Sequence, residues 1–311
     1  MQELRQQIVL LGAGIVKESC RSATGPVISP DADPRYWRNL WQQMKLARMA
    51  TPGFGSAGAY WNNRKNVTDL YVKSRTRQAW QGKVEAQFAA MNIPNKARVL
   101  DIGGGTGTHA IPLALAGCDV TVVEPAAAMR EVLQKNLASS KAGPVTVIPT
   151  RWEDISPDEL GKPFDVVIAS YSLSMVDIGT ALEKMQACCR GTVNLFWFLT
   201  PPSWARVSRD LWPLLHGCEY PGEPLADCLW QVLYEMGIYA HMTTERKKDT
   251  VYPVVEEAVQ EYYQRLNCST DAQNEILKGY FTGTLRSGSM GFALDGASYA
   301  AHIWWRTGPE Y

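Results

Sequence analysis

Apolar positions between residues 97 and 200 fall into short blocks separated by stretches with helical spacing. Val99, Leu100 and Ile102 form one block, Val120–Val123 a second, Val145–Ile148 a third, and Val166–Ala169 and Val193–Leu199 two more. Blocks of four to seven residues bounded by Gly, Pro and Asp read as buried strands. The pattern predicts strands over 98–102, 119–123, 145–149, 164–170 and 192–199. It predicts helices over 108–116, 126–138 and 179–189, with Pro112 early in the first of them, where a proline is best tolerated. Strand alternating with helix is the rhythm of an α/β fold with a parallel sheet covered on both faces.

Beyond Leu199 the rhythm changes. Thr200–Pro202 and Tyr220–Pro224 are turn-rich, with Trp204 and Trp212 between them. A helix is expected over 226–236, a strand over 238–246, helices over 254–266 and 271–284, and a last strand over 298–306. Period 2 puts Trp304 and Trp305 of that strand on opposite faces. Before the first strand, residues 1 to about 25 read as helix, and Ile8–Val16 is too short to span a bilayer. Asp33-Pro34 offers a cap and a first-turn proline. Tyr36, Trp37, Leu40, Trp41 and Met44 then recur at helical spacing as a core-facing stripe. A glycine-rich connector at 51–58 leads to a mostly helical stretch over 60–91. The division expected is an N-terminal helical extension, residues 1–90, acting as a lid, and a main domain, residues 91–311, with an insert near 200–237 in the substrate region.

The chemistry concentrates at the end of the first strand. Val99–Gly107 reads VLDIGGGTG, and the second strand ends in Glu124. Glycines there let a ligand approach the backbone, the following helix aims its N–H groups at the same place, and an acid on the second strand can accept from both hydroxyls of a ribose. This is a nucleoside-cofactor layout. A phosphate-binding loop needs Lys after the last glycine, and Thr108-His109 stands there instead. The stretch from Gly105 to Ala110 fits a dinucleotide fingerprint loosely. Asp101, just before the turn, repels a pyrophosphate and suits a ligand with an ammonium group.

VLDIGGGTG closely resembles the first motif of class I S-adenosylmethionine (SAM)-dependent methyltransferases. The resemblance implies a Rossmann-like, mostly parallel sheet with helices on both faces and an antiparallel C-terminal edge strand. It implies that Asp101 holds the methionine end of SAM over Gly103, Gly104 and Gly105, and that Glu124 binds the ribose with Pro125 beside it. Met129 would lie against the adenine. The family's usual adenine-binding acid is replaced by Arg151, so Glu153 or Asp154 would take its place and Trp152 would stack on the purine. Ser170, Tyr171 and Ser172 would face the sulfonium from the end of the fourth strand. Tyr60-Trp61-Asn62-Asn63-Arg64-Lys65 resembles the Tyr-Trp-Asp-x-Arg-Ala entry of small-molecule enzymes whose N-terminal helices fold over SAM; Tyr60 and Trp61 would then touch the cofactor.

Composition narrows the partners. Lys plus Arg and Asp plus Glu are both 31, so the formal net charge is zero and nothing announces a nucleic-acid binder. A cluster of Arg64, Lys65, Lys73, Arg75 and Arg77 is accounted for by a solvated helix face. Seven cysteines without a C-x-x-C suit a reduced, cytoplasmic protein, with Cys188 and Cys189 pointing apart on a helix. Lys17-Glu18 stands where a signal peptide would have small residues. The four histidines (109, 216, 241, 302) have no metal spacing, so no metal is expected. Candidates for a base are Tyr171, His216 and His241. Zero charge, 11 tryptophans and a lid point to a small acceptor without nucleic acid or membrane. A NAD-dependent oxidoreductase and a non-catalytic SAM-binding protein remain the alternative readings.

Overall fold

The computed structural model describes residues 33–54, 57–63 and 79–308. The helix expected over the first 25 residues, including Ile8–Val16, and the basic cluster from Arg64 to Arg77 lie outside them. Among the described residues, three helices, α1 (Tyr36–Ala50), α2 (Ala57–Asn62) and α3 (Ala79–Met91), precede the sheet. Then follow β1 (Arg98–Ile102), α4 (Ala110–Leu115), β2 (Asp119–Val123), α5 (Ala127–Ser139), β3 (Val145–Ile148), β4 (Phe164–Ser170), α6 (Ile178–Ala187) and β5 (Cys189–Phe198). The remainder is α7 (Ser203–His216), α8 (Ala226–Glu235), β6 (His241–Arg246), β7 (Thr250–Tyr252), α9 (Val255–Arg265), α10 (Asp271–Thr284), β8 (Arg286–Gly288), β9 (Gly291–Leu294) and β10 (Tyr299–Arg306).

The main sheet has seven strands in the order β3-β2-β1-β4-β5-β10-β6. β3 to β5 are parallel, and β10 runs antiparallel to both β5 and β6. This is the Rossmann-like arrangement with an antiparallel C-terminal edge. Alternation along the strands sorts side chains to two faces. Leu100, Ile102, Val167, Leu195 and Ile303 pack with Trp41 of α1, Leu182 of α6 and Leu229 of α8. Val99, Val120, Val122, Val166 and Ile168 pack with Met91 of α3, Leu113 of α4 and Leu133 of α5. Both faces are covered, which explains why these strands read as mostly apolar runs.

A third cluster stands apart from the sheet. Val207, Leu211 and Trp212 of α7 meet Tyr262 of α9, Leu277 and Phe281 of α10, and Leu294 of the small sheet β7-β9-β8. The insert expected near 200–237 is thus split. Its first helix joins this cap, its second packs in the main core, and residues 250–294 complete the cap. α7 itself was hidden by Pro201, Pro202 and Pro213. Pro213 stands inside the helix, where the apolar face of Val207, Leu211, Trp212 and Leu215 outweighs one lost backbone bond.

Two local expectations need correction. Cys188 and Cys189 are not on a helix: Cys188 caps α6 and Cys189 opens β5. The Phe164 N–H already donates to the Cys188 carbonyl at 2.8 Å, so the chain has joined the sheet by that point. α1 begins at Tyr36, yet Asp33 still accepts from the Arg35 N–H at 2.8 Å. The Tyr36 N–H donates to the Asp33 carbonyl at 3.0 Å, and the two after it, of Trp37 and Arg38, donate to the Glu235 carboxylate of α8 at 2.7 and 3.2 Å. A distant acid therefore closes the helix start that local sequence leaves open.

Candidate functional site

The carboxyl ends of β1, β2 and β4 meet at the glycine turn. The Gly103 N–H donates to the Val123 carbonyl at 2.7 Å and ties the turn to β2. Gly103 has φ +69°, and a Cβ there would stand 2.4 Å from the Ser172 Cβ. The Ser172 hydroxyl in turn donates to the Ile102 carbonyl at 2.6 Å, joining the end of β4 to β1. A Cβ at Gly104 would come within 2.8 Å of a carboxylate oxygen of Asp101. Only glycine fits these two positions.

Glu124 holds the turn from the other side. One of its oxygens accepts from the Gly105 N–H at 2.9 Å and the other from the Ala126 N–H at 2.8 Å. Burial raises its pKa, and the two backbone donors work against that rise. Each oxygen keeps lone-pair capacity for a further donor, such as a ribose hydroxyl.

Asp101 is the unusual group. It is 1% exposed, and its Oδ2 has no hydrogen-bond partner among the described residues. Burial, and after it the Glu124 charge, push its carboxyl up to about 7. A buried acceptor left without a donor is costly and points to a missing cationic or N–H partner. A ligand ammonium would fit it, whereas a phosphate would add a third negative charge beside Glu124.

The side expected to meet an adenine is built from α5 and α2. Met129 is buried with Ala126 and Ala128, and Trp61 packs on the three of them. The Ala127 N–H, at the start of α5, donates to the Asn62 side-chain oxygen at 2.7 Å. Tyr60 stands edge-on to Trp61 with centroids 4.8 Å apart. The short helix α2 is therefore docked on the start of α5, beside Glu124. Pro125 is exposed, and its carbonyl accepts from Arg130.

Trp152 departs from expectation. Its indole is 2% exposed, sits in the core, and donates to the Ala181 carbonyl at 3.0 Å. No ring face is left for a purine. Glu153 is exposed and its carbonyl accepts from Lys184. Asp154 takes both bonds of a fork from Arg151 at 2.9 Å. The acid three residues on thus neutralises the arginine that breaks the family pattern.

At the end of β4, Ser170 is half-buried and Tyr171 adopts φ +55°, a strained setting for an aromatic residue. Its N–H donates to the Phe196 carbonyl at 2.9 Å. Its ring lies 4.9 Å from that of Phe198, with the Lys247 ammonium 5.5 Å from its centroid. Burial raises the Tyr171 phenol, and Lys247 only partly offsets this. The two histidine candidates stand elsewhere. The His216 ring bonds to the Leu266 carbonyl at 2.8 Å and fills the space over Gly53. It pins the end of α7 to the end of α9 and packs against the loop after α1. His241 is exposed on β6 and stacks on Trp304 at 4.2 Å. It lies three strands from β4, roughly 14 Å at the usual strand spacing.

Lys247, Trp204, Arg48 and Arg265 were not singled out as site residues by sequence. The charged run Glu245–Lys248 was the visible trace of the first. Trp204 lies 5.7 Å from Phe198, and the Arg48 and Arg265 guanidinium groups stand 6.0 and 5.4 Å from its ring.

Residues 72–232 match the family described as Methyltransferase domain. An uncharacterised protein of Haemophilus influenzae (strain ATCC 51907 / DSM 11121 / KW20 / Rd) is 31% identical over 153 residues, which is 49% of this chain and 55% of that protein. The chain spans about half the length of this curated relative. A solved structure from Bacillus halodurans C-125, a protein provisionally assigned as a methyltransferase, superposes with a TM-score of 0.51 at 12% identity. That alignment covers 73% of this chain and 100% of the other, and the likeness is one of fold.

Proposed function

Because this chain belongs to the methyltransferase-domain family, we propose that it transfers the methyl group of SAM to a small-molecule acceptor. The observation that carries the reading is the unpartnered Asp101 carboxylate oxygen beneath a turn that has room for no Cβ at Gly103 or Gly104. A carboxylate there matches the ammonium of a methionine moiety. Across the turn, Glu124 keeps the lone pairs a ribose needs. Met129 and Trp61 give an apolar surface for an adenine.

When bound, SAM supplies a methyl on an activated sulfonium, ready for in-line displacement. The residues of the chain then have to align the acceptor and keep water out. Asp101 and Glu124 fix the two ends of the donor, and α2 covers it from the α5 side. Ser170 and Tyr171 face the acceptor from the end of β4, where ligands of open α/β sheets bind. Since burial raises the Tyr171 phenol above its ordinary value, it keeps its proton at neutral pH. Its role is to orient the acceptor by hydrogen bonding rather than to take a proton from it. No helix among the described residues is long and apolar enough to cross a membrane. A cytoplasmic enzyme acting on a diffusible acceptor, without nucleic acid, accords with the neutral charge.

Calorimetry with SAM, S-adenosylhomocysteine and NAD tests this. Saturable binding of both adenosyl compounds and none of NAD is expected. NAD binding with no response to SAM would reverse the reading in favour of an oxidoreductase. SAM bound without transfer to any acceptor would leave a binding protein.

A further inference from the structure

The side chains beyond the cofactor turn form a continuous aromatic wall that ends on an arginine. Tyr171, at the end of β4, meets Phe198 at 4.9 Å, and Phe198 meets Trp204 at 5.7 Å. The Arg265 guanidinium stands 5.4 Å from the Trp204 centroid and 5.9 Å from that of Tyr262. Its charge also bears on the phenol of Tyr60 in the lid helix. Contacts thus run from the end of β4 into the cap, and the charge of Arg265 reaches toward α2, which is docked on α5. Tyr171, Phe198, Trp204 and Arg265 all stay partly exposed, so the wall is not closed core.

Arg265 is incompletely satisfied. Its Nη2 stands 3.6 Å from Glu261, an ion pair too long for a hydrogen bond. Its Nε is buried and has no acceptor among the described residues. The Nε and Nη2 edge of a guanidinium is the fork that holds a carboxylate through two parallel bonds. Glu261 is itself engaged by the Tyr252 hydroxyl at 3.2 Å. Arg48, 6.0 Å from the Trp204 centroid, shares the acid Glu223 with Lys45, at 3.5 and 3.8 Å. Among the described residues, these two cations beside the wall have one acid between them, which favours an anionic ligand.

We propose that this wall is the acceptor subsite and that the acceptor is an aromatic carboxylic acid. Its ring lies along Phe198 and Trp204, and its carboxylate accepts from the unpartnered Nε of Arg265. The proposal rests on the methyltransferase reading, because it is that reading which places the reacting atom at Tyr171. Arg265 is a specificity residue, remote from the methyl group.

The test is calorimetry on the full chain saturated with S-adenosylhomocysteine. The probes are 4-hydroxybenzoate, its uncharged methyl ester and cyclohexanecarboxylate. The acid should bind at least about tenfold more tightly than the ester, the effect of one charge-assisted bond pair. It should also bind more tightly than the non-aromatic acid. Arg265→Gln should erase the preference for the acid while S-adenosylhomocysteine binds as before. Arg265→Lys, which keeps the charge but loses the fork, should retain only part of it. Equal binding of acid and ester, no binding of the acid, or a preference that survives Arg265→Gln would overturn the proposal. Failure of S-adenosylhomocysteine itself to bind the wild-type chain would instead overturn the cofactor reading, so the two failures are told apart.

Discussion

Asp101→Asn should make the ligand-free protein more stable and the cofactor complex weaker. The Asp101 carboxyl is fully buried, one oxygen has no partner, and its pKa stands at about 7 against 3.8 for an ordinary aspartate. Between those two values the folded state keeps a proton that the unfolded chain has released. The associated stability is fully present below pH 3.8 and is lost as the pH rises through 7. At about 1.4 kcal/mol per pH unit, the total is about 4 kcal/mol. Asparagine does not titrate, so urea unfolding without SAM should show the wild type losing about 3 kcal/mol relative to the variant between about pH 5 and pH 8. At the upper pH the variant should be the more stable chain, its gain reduced by about 1–3 kcal/mol for an amide group without a partner. SAM affinity should move the opposite way, falling by roughly 1.5–3 kcal/mol as the bond to the ammonium loses its charge. Wild-type affinity should itself weaken by about tenfold per unit below pH 7, because the proton on Asp101 must leave first. A stability difference independent of pH, or a variant that binds SAM like the wild type, would refute the reasoning.

Glu124→Ala should weaken SAM binding by roughly 1.5–3 kcal/mol in calorimetry, and should also cost about 1–3 kcal/mol of folding stability, since the Gly105 and Ala126 N–H groups lose their acceptor. Gly103→Ala should destabilise the fold by about 1–3 kcal/mol in denaturant, from the left-handed backbone and the clash with Ser172; a neutral result would mean the turn is looser than described. Trp152→Phe should cost about 1 kcal/mol of stability through the lost indole bond, yet leave SAM affinity unchanged. A large loss of affinity there would restore the stacking role that its burial denies. Asn62→Ala should cost about 0.5–2 kcal/mol at the start of α5, as for a lost helix cap, and show as faster amide exchange at Ala127.

The parallel core of the fold was legible because both of its faces are buried. A strand such as Val120–Val123 is buried at every position, apolar at all but Thr121, and is bounded by Asp119 and Glu124. The glycine turn was legible for a related reason, since the positive φ of Gly103 and the Asp101 carboxylate beside Gly104 demand glycine there. The cap was not. α7 carries three prolines within or just before it, and its apolar face becomes visible only beside α9 and α10. The aromatic wall escaped because its members come from four separate stretches of chain, at Arg48, Tyr171, Phe198–Trp204 and Arg265. Tryptophan at position 152 was misread for the opposite reason: a ring beside the expected adenine position is also a ring beside the core, and the Ala181 carbonyl decides between the two.

The closing of α1 by Glu235 has a consequence for how the molecule is born. Two amide groups of its first turn wait for an acid that is 198 and 197 residues further along the chain. The indole of Trp41, in the same helix, donates to the Met175 carbonyl at 2.9 Å, 134 residues away. A helix of 15 residues is marginal in water without tertiary support. On a translating ribosome, α1 therefore emerges long before either partner exists. It becomes fixed only when α8 has been made and laid against the finished sheet. The earliest of the described segments to be synthesised is thus among the last to reach its native place, and the closure cost of that long loop falls late in folding.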